Sequence, residues 1–374
     1  MIANAAGWGN IGDDAITLAL IRGIAHQRGC PRFALLSGPN SRDIASSSEA
    51  EVTVISGSGP LRRVRGAMGL VRAGALVVGG GGLLQDRLPE FYRPFYRAMR
   101  VAKGCGVPLS ISSVGVSAPR SSEFRGALRE LSAYASHFTV RDAASAEIVA
   151  EVTGLTAPDI VPDAAFGLRV AQGRVSNWRN ADGPRVGVAI RPWWHLAAMW
   201  GRADPERLAR FIAGLASALR TLRALLGCDF LLIPMHIGTS DDDRYVAHLL
   251  EREIRHDGYV THAQVSGVFS AINAIQSCDA LIGMRLHSLI LAAMTDVPSV
   301  GLAYDDKIVR AMDRIGRSDF VLPIDDFDPR WLADSVVKAL ACGVTATQAA
   351  IVRSFRQEAD AESVLLAANH AGRL

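Results

Sequence analysis

Short apolar runs alternate with stretches of helical period along most of the chain. In the first half, residues 32–37, 51–55, 75–78, 108–114 and 137–140 are rich in Val, Ile, Leu or Phe, the composition of strands buried in a sheet. Helical patterns fall between them, at 14–28, 90–104 and 121–135, with apolar positions three to four residues apart. The order returns further on, with strands at 185–190, 229–234, near 259–261, 280–283 and 299–303 and helices at 205–226, 241–255, about 267–277 and 286–294. Strands alternating with helices predict parallel sheets built from right-handed crossovers. Residues 167–184 are polar, carry glycine and have no period, which reads as a linker. The expected organisation is therefore α/β: two doubly wound, Rossmann-like domains, 1–168 and 184–344, facing each other across a cleft. A C-terminal helix in 345–374 is expected to pack back on the first domain. The first strand has only residues 2–6 before the turn at Gly7. That is short even for an edge strand and implies a true start a few residues upstream.

Composition agrees with this picture and removes several classes of function. At 374 residues the chain exceeds one ordinary core. Its 49% hydrophobic and 21% charged residues exclude a disordered chain. A net charge of +3 with scattered arginines gives no nucleic-acid footprint. Cys30, Cys105, Cys228, Cys278 and Cys342 are dispersed and form no CxxC pair, so reduced thiols are expected and structural zinc is not. With no apolar run of about 18 residues and no basic-then-apolar leader, the expectation is a cytoplasmic protein without a transmembrane segment, at most loosely membrane-associated.

Two glycine-rich turns follow predicted strands. Gly7-Trp-Gly-Asn-Ile-Gly-Asp-Asp-Ala-Ile16 runs into a helix, where free N–H groups favour anions. Its glycines meet the GxGxxG spacing of dinucleotide sites, but Asp13 and Asp14 at the helix start would repel a pyrophosphate. Val77-Val-Gly-Gly-Gly-Gly-Leu-Leu-Gln-Asp86 places four glycines after a strand. The bland reading is a tight corner; the functional one is backbone pressed on a ligand. A P-loop is excluded, because no Lys-Ser or Lys-Thr follows.

Cations gather at other strand ends. Arg141 follows the strand at 137–140, with Asp142 beside it as a simple salt-bridge partner and Asp163 some twenty residues on. Arg191 and His236 lie just past strands of the second half, although a lone histidine is as readily structural. The densest set is Arg285 and His287 at the mouth of an apolar helix, with Lys307 beyond the next strand. Packing accounts for Met284, Leu286 and Leu289 but not for ionisable groups among them, whose burial is costly without partners. The carboxyl edge of a parallel sheet is where open α/β folds bind ligands.

These motifs, from Gly7 to Lys307, resemble those of the polysaccharide pyruvyl transferase family, whose fold is GT-B-like. The family has a similar Gly-x-Gly-Asn-x-Gly-Asp turn, a near-identical glycine run followed by Leu-Gln-Asp, and an Arg-Leu-His triplet twenty residues before a lysine. The resemblance implies transfer of the enolpyruvyl unit of phosphoenolpyruvate to a sugar of a cell-surface polysaccharide or its precursor. A ketal closes and phosphate leaves, with no metal and no cofactor beyond the donor substrate. It implies His287 as general acid with Arg285 and Lys307, and Arg141, Arg191 and Gly283 toward the donor. Gly9, Asn10, Asp13, Gly80, Gly81, Gly82, Gln85, Asp86 and His236 would line the cleft toward a carbohydrate acceptor, free or lipid-linked. Sugar-nucleotide transferases of this fold commonly open the equivalent helix with an acidic residue, whereas this chain has none there until Asp296. Such a glycosyltransferase, and a non-catalytic carbohydrate-binding member, remain the competing readings.

Overall fold

The computed structural model describes all residues except 29–31, 57–58, 88, 171–182, 195–203, 239–240, 255–257, 326 and 370–374. The chain forms two compact units: Met1–Gly9, Asp13–Arg169 and Ser354–Leu374 in one, Asn10–Gly12 and Val170–Arg353 in the other. Most of the expected linker, 171–182, lies outside the described residues, as does Cys30.

The first unit holds a seven-stranded sheet in the order β3-β2-β1-β4-β5-β6-β7. The strands are β1 (Ile2–Ala3), β2 (Arg32–Leu36), β3 (Glu51–Ile55), β4 (Leu76–Gly79), β5 (Leu109–Val114), β6 (His137–Val140) and β7 (Asp159–Ile160), with helices α1 (Ile11–Arg28), α2 (Arg42–Ser47), α3 (Gly59–Val71), α4 (Pro89–Gly104), α5 (Ser122–Tyr134) and α6 (Ala143–Thr153). All pairings are parallel. The two-residue β1 is a central strand, not an edge: Ile2 pairs with Leu35 on one side and Val77 on the other. Burial on both faces lets so short a segment hold its place, since Ile2 and Ala3 are both inaccessible. On one face Tyr92, Met99, Phe124 and Leu128 cover Leu76, Leu109 and Ile111.

The second unit repeats the plan with six parallel strands, β10-β9-β8-β11-β12-β13. These are β8 (Arg185–Ala189), β9 (Asp229–Leu232), β10 (Val260–His262), β11 (Ala280–Gly283), β12 (Ser299–Ala303) and β13 (Val321–Pro323), with α7 (Pro205–Leu226), α8 (Asp243–Ile254), α9 (Val268–Gln276), α10 (Leu286–Met294), α11 (Asp306–Arg314) and α12 (Pro329–Cys342). Helix α7 starts where the spacing predicts because Asp204 caps the amide of Arg207 and Pro205 occupies the first turn. It stops at Gly227, which takes a left-handed conformation. Every residue of α10 is buried, in keeping with a sequence that is apolar apart from His287 and Ser288.

The last helix, α13 (Ala346–Ala368), belongs to the first unit from Ser354 onward. Phe355 packs on Phe166, and Glu362 bonds to β5 and β6, the packing expected from the sequence. Helices α2, α3, α6, α11 and α12 and strands β7 and β13 have no counterpart among the expected elements. The strands are two and three residues long, too short to show a period, and α11 is mostly charged, its buried apolar side reduced to Ile308 and Met312 one turn apart.

Candidate functional site

In the second sheet β8 lies between β9 and β11. The chain order reverses there, opening a crevice at the strands' carboxyl ends. Four strand-to-helix connections deliver the polar groups: Arg191 after β8, His236 and Asp241 after β9, Arg285 after β11, and Tyr304 after β12, with Lys307 in the first turn of α11. Asp243 joins them from the first turn of α8.

The groups form one buried network. Arg285 donates from Nη2 to Asp243 Oδ1 at 2.6 Å and from Nε to both carboxylate oxygens at 3.2 Å. The same Nη2 lies 3.0 Å from Asp241 Oδ1. Asp241 Oδ2 accepts from Arg191 Nη2 at 2.9 Å and lies 3.3 Å from His236 Nδ1. Arg191 Nη1 donates to the Tyr304 hydroxyl at 3.0 Å. Asp243 Oδ2 also accepts the backbone N–H groups of Met235 and His236, at 3.0 and 2.9 Å. Each charge is thus paired and hydrogen-bonded, the condition under which buried ions are tolerated.

Electrostatics follow from that packing. Burial alone would raise the Asp241 pKa, but His236, Arg285 and Arg191 hold it well below the carboxylate range. Burial pushes Asp243 up while Arg285 pulls against it. For Arg285, the two aspartates overcome the burial penalty and keep the guanidinium charged. Burial opposes ionisation of the half-buried Tyr304, yet Lys307, Arg191 and Arg285 bring it down to about 8. The Lys307 ammonium stands 5.0 Å from the Tyr304 ring centre, and that ring lies 4.4 Å from Trp193. Three cations face two carboxylates, so the network keeps a positive surplus that suits an anionic ligand.

Arg285 has partners that the sequence does not announce. The resemblance implies it as a catalytic cation, and the sequence puts no acidic residue at the opening of α10 until Asp296. The fold instead brings Asp241 and Asp243 onto it from over forty residues upstream. Arg285 and Arg191, 8% and 5% exposed, are thus both tied to this acidic pair, and Lys307 stands beside Tyr304. Strand register decides this pairing, and no sequence spacing announces it.

His287 occupies the first turn of α10, against Gly12. A Cβ added at Gly12 would fall inside the imidazole, far within van der Waals contact. Residues Asn10–Gly12 belong to this unit: Ile11 N donates to Met235 O at 3.0 Å, and Asn10 bridges to His236. Asn10 also caps its own helix, accepting Gly12 N at 3.1 Å. Gly12, absent from the expected site residues, is what lets His287 sit there. Its place as the last glycine of the turn was the available signal. Gly283 is likewise steric, because an added Cβ would meet Leu289 and Ser288 at 2.6 and 2.8 Å.

In the first unit, both glycine turns meet at the equivalent point, after β1 and β4. The four-glycine run is mostly a packing device: added Cβ atoms at Gly79 and Gly80 would strike Leu20 and Ile16 of α1, and one at Gly81 would lie 3.0 Å from Asp13. Gly82 alone is exposed and meets nothing. Gln85 donates back to Gly82 O at 3.3 Å. Asp86 is buried and accepts from the amides of Arg120 and Ser121 and from the Ser121 hydroxyl, so it anchors the start of α5. Gly9 is half-buried in its turn, and Asp14 accepts Gly7 N at 2.7 Å. Arg141 lies over Gly115, 3.5 Å from Asp163 and 3.7 Å from Asp142. Among the described residues, one group has metal-ligand spacing, His248, Glu251 and His262. It includes none of the site residues, and Glu251 takes a contact from each imidazole, at 3.4 and 3.1 Å.

Comparison with known proteins agrees with this architecture. A family model described as polysaccharide pyruvyl transferase matches residues 10–306. No curated protein matches the sequence. Among solved structures, the putative UDP-N-acetylglucosamine 2-epimerase of Listeria monocytogenes is 10% identical, with a TM-score of 0.63, over 98% of this chain and 93% of that one. Alr3699/HepE of Anabaena, solved with UDP and glucose, is 12% identical with a TM-score of 0.59, over 100% and 99%. The glycotransferase of kitacinnamycin is 14% identical with a TM-score of 0.50, over 100% and 98%. At such identities the likeness is one of fold, and that fold is GT-B-like, with two Rossmann-like domains.

Proposed function

The chain belongs to the polysaccharide pyruvyl transferase family, and from that premise we propose that it moves the enolpyruvyl unit of phosphoenolpyruvate onto a sugar and closes it into a cyclic ketal. The observation that carries this reading is the positively biased network of Arg191, Arg285 and Lys307 at the strand ends of β8, β11 and β12, with His287 on the neighbouring helix turn. A small anion that carries both a carboxylate and a phosphate suits such a place. Acceptors of this class are sugars of a cell-surface polysaccharide or its precursor, free or lipid-linked, and the work would be done in the cytoplasm. On the first unit, Asp13 and Gln85 supply polar groups suited to sugar hydroxyls.

In this scheme His287 delivers a proton to C3 of the donor, leaving an oxocarbenium-like centre at C2. One sugar hydroxyl adds to C2 and gives up its proton. The C–O bond to phosphate then breaks, the leaving group keeping the electron pair. A second hydroxyl of the same sugar adds to the regenerated centre and loses its proton, closing the ketal. Arg191 and Lys307 neutralise the carboxylate and the departing phosphate, Arg191 as a fixed charge whose Nη groups are held by Asp241 and Tyr304. Arg285, tied to Asp241 and Asp243, holds the start of α10 and hence His287 in register. The scheme calls on no metal and no redox cofactor.

The test is ligand binding followed by product analysis. Phosphoenolpyruvate should raise the thermal midpoint by mass action, pyruvate much less, and incubation with candidate glycans should add pyruvate ketal mass. His287→Gln should cut turnover by about 10²–10⁴-fold while donor binding persists. A shift produced by UDP and not by phosphoenolpyruvate would replace this reading with a sugar-nucleotide transferase.

A further inference from the structure

Helix α3 turns four bulky apolar residues outward and packs inward on Leu70 and two glycines. Leu61, Val64, Met68 and Val71 are 73%, 55%, 49% and 61% exposed. At about 100° per residue they fall within an arc of roughly 80°, a single stripe. The opposite side holds Gly66, Gly69 and Leu70. A Cβ at Gly69 would meet Met1 Cε at 2.6 Å and Ile55 at 3.0 Å, so the helix lies close on β3 because glycine is there. An outward stripe of four bulky apolar side chains does nothing for this unit's core, and exposed apolar patches mark interaction sites.

Charge says what the stripe fits. Residues 59–72 carry Arg62, Arg63, Arg65 and Arg72 and no carboxylate. On neighbouring α4, Arg93 and Lys103 are paired to Glu123 and Glu130 of α5, and the exposed Arg97 and Arg100 share that face and those carboxylates, so the charge beside the stripe is that of α3 itself. The loop at 37–38 links α3 to an exposed tryptophan: Arg62 Nη2 donates to Ser37 O at 3.4 Å, and Trp8 packs beside Gly38. Trp8 is 58% exposed. An apolar stripe bordered by arginines with a tryptophan near one end is the composition of a helix lying in a lipid–water interface. Among the described residues no single helix is long and apolar enough to cross a membrane, so contact through this face would be peripheral. We propose that α3, with Trp8, docks the protein on an anionic lipid surface.

Sedimentation of the full chain with vesicles tests this without any substrate, so its outcome is separate from that of the donor experiment. Vesicles of phosphatidylcholine containing about one third phosphatidylglycerol should carry the protein down, plain phosphatidylcholine far less, with binding weakened by salt. Val64→Asp combined with Met68→Asp should lower the partition at least about tenfold. Both side chains are exposed, so an unchanged thermal midpoint will show that the fold persists. Arg63→Glu with Arg65→Glu should abolish the preference for the anionic lipid. Wild-type protein that stays in solution at low salt, or apolar variants that sediment as wild type does, would overturn the proposal. A concentration-dependent dimer split by Val64→Asp and Met68→Asp would overturn it too, assigning the stripe to a second copy of the chain.

Discussion

Removing the carboxylate of Glu362 should free the C-terminal helix from the first unit. Glu362 is buried, and its Oε1 takes hydrogen bonds from Ser112 and Thr139 at 2.7 Å and contacts His137 Nε2 at 2.8 Å. Charge-assisted bonds are worth about 1.5–3 kcal/mol each, but three sharing one oxygen do not add. Breaking a buried ion pair from one side costs about 3–5 kcal/mol, the loss expected for Glu362→Ala in local opening free energy. Native-state hydrogen exchange reads this locally, and amides at 354–368 and 137–140 should exchange roughly 10²–10⁴-fold faster. The pH dependence supplies a second check. The hydrogen bond to Glu362 raises the His137 pKa against the effect of burial, so its contribution is full below the ordinary 6.5 and is lost as pH rises through the folded value. Burial would raise Glu362, but His137, Ser112 and Thr139 lower it, so its contribution is full above the ordinary 4.5 and is lost as pH falls through the folded value. Both are intact between those ordinary values, where the wild-type advantage should peak. Equal exchange of wild type and variant, or an advantage that does not change with pH, would refute the reasoning.

Three further outcomes are expected. Asp243→Asn should cost about 3–5 kcal/mol in urea unfolding of the second unit, because it leaves Arg285 with half its buried counter-charge; a loss under about 1 kcal/mol would mean that Asp241 alone suffices. Gly12→Ala should destabilise by about 1–3 kcal/mol through overpacking against His287, whereas Gly82→Ala, into open space, should stay within about 0.5 kcal/mol; denaturation midpoints of the pair decide this. One tyrosine should ionise at about 8 by ultraviolet absorbance, disappear in Tyr304→Phe and titrate higher in Lys307→Met, since the lysine favours the phenolate; an unchanged midpoint in Lys307→Met would remove the lysine from that role.

Residues close in sequence determined much of this protein. The strand and helix patterns follow from side-chain period, and His137–Val140, Pro205–Leu226, Leu286–Met294 and Ser299–Ala303 lie where that period places them. Alternation of the two implies parallel sheets, and parallel sheets put Arg191, Arg285 and Lys307 at strand ends, so the neighbourhood of the site was legible. Partners were not. Asp241 and Asp243 meet Arg285 only because β9, β8 and β11 adjoin, and Glu362 reaches Ser112 across 250 residues. The glycine run at 79–82 reads as ligand contact until α1 is seen lying on it. The stripe on α3 cannot be told from a core face by its period alone. Hydrophobic period is a local property of the chain, whereas which charges neutralise each other, and which face meets water, depends on strand order and packing that only the folded chain possesses.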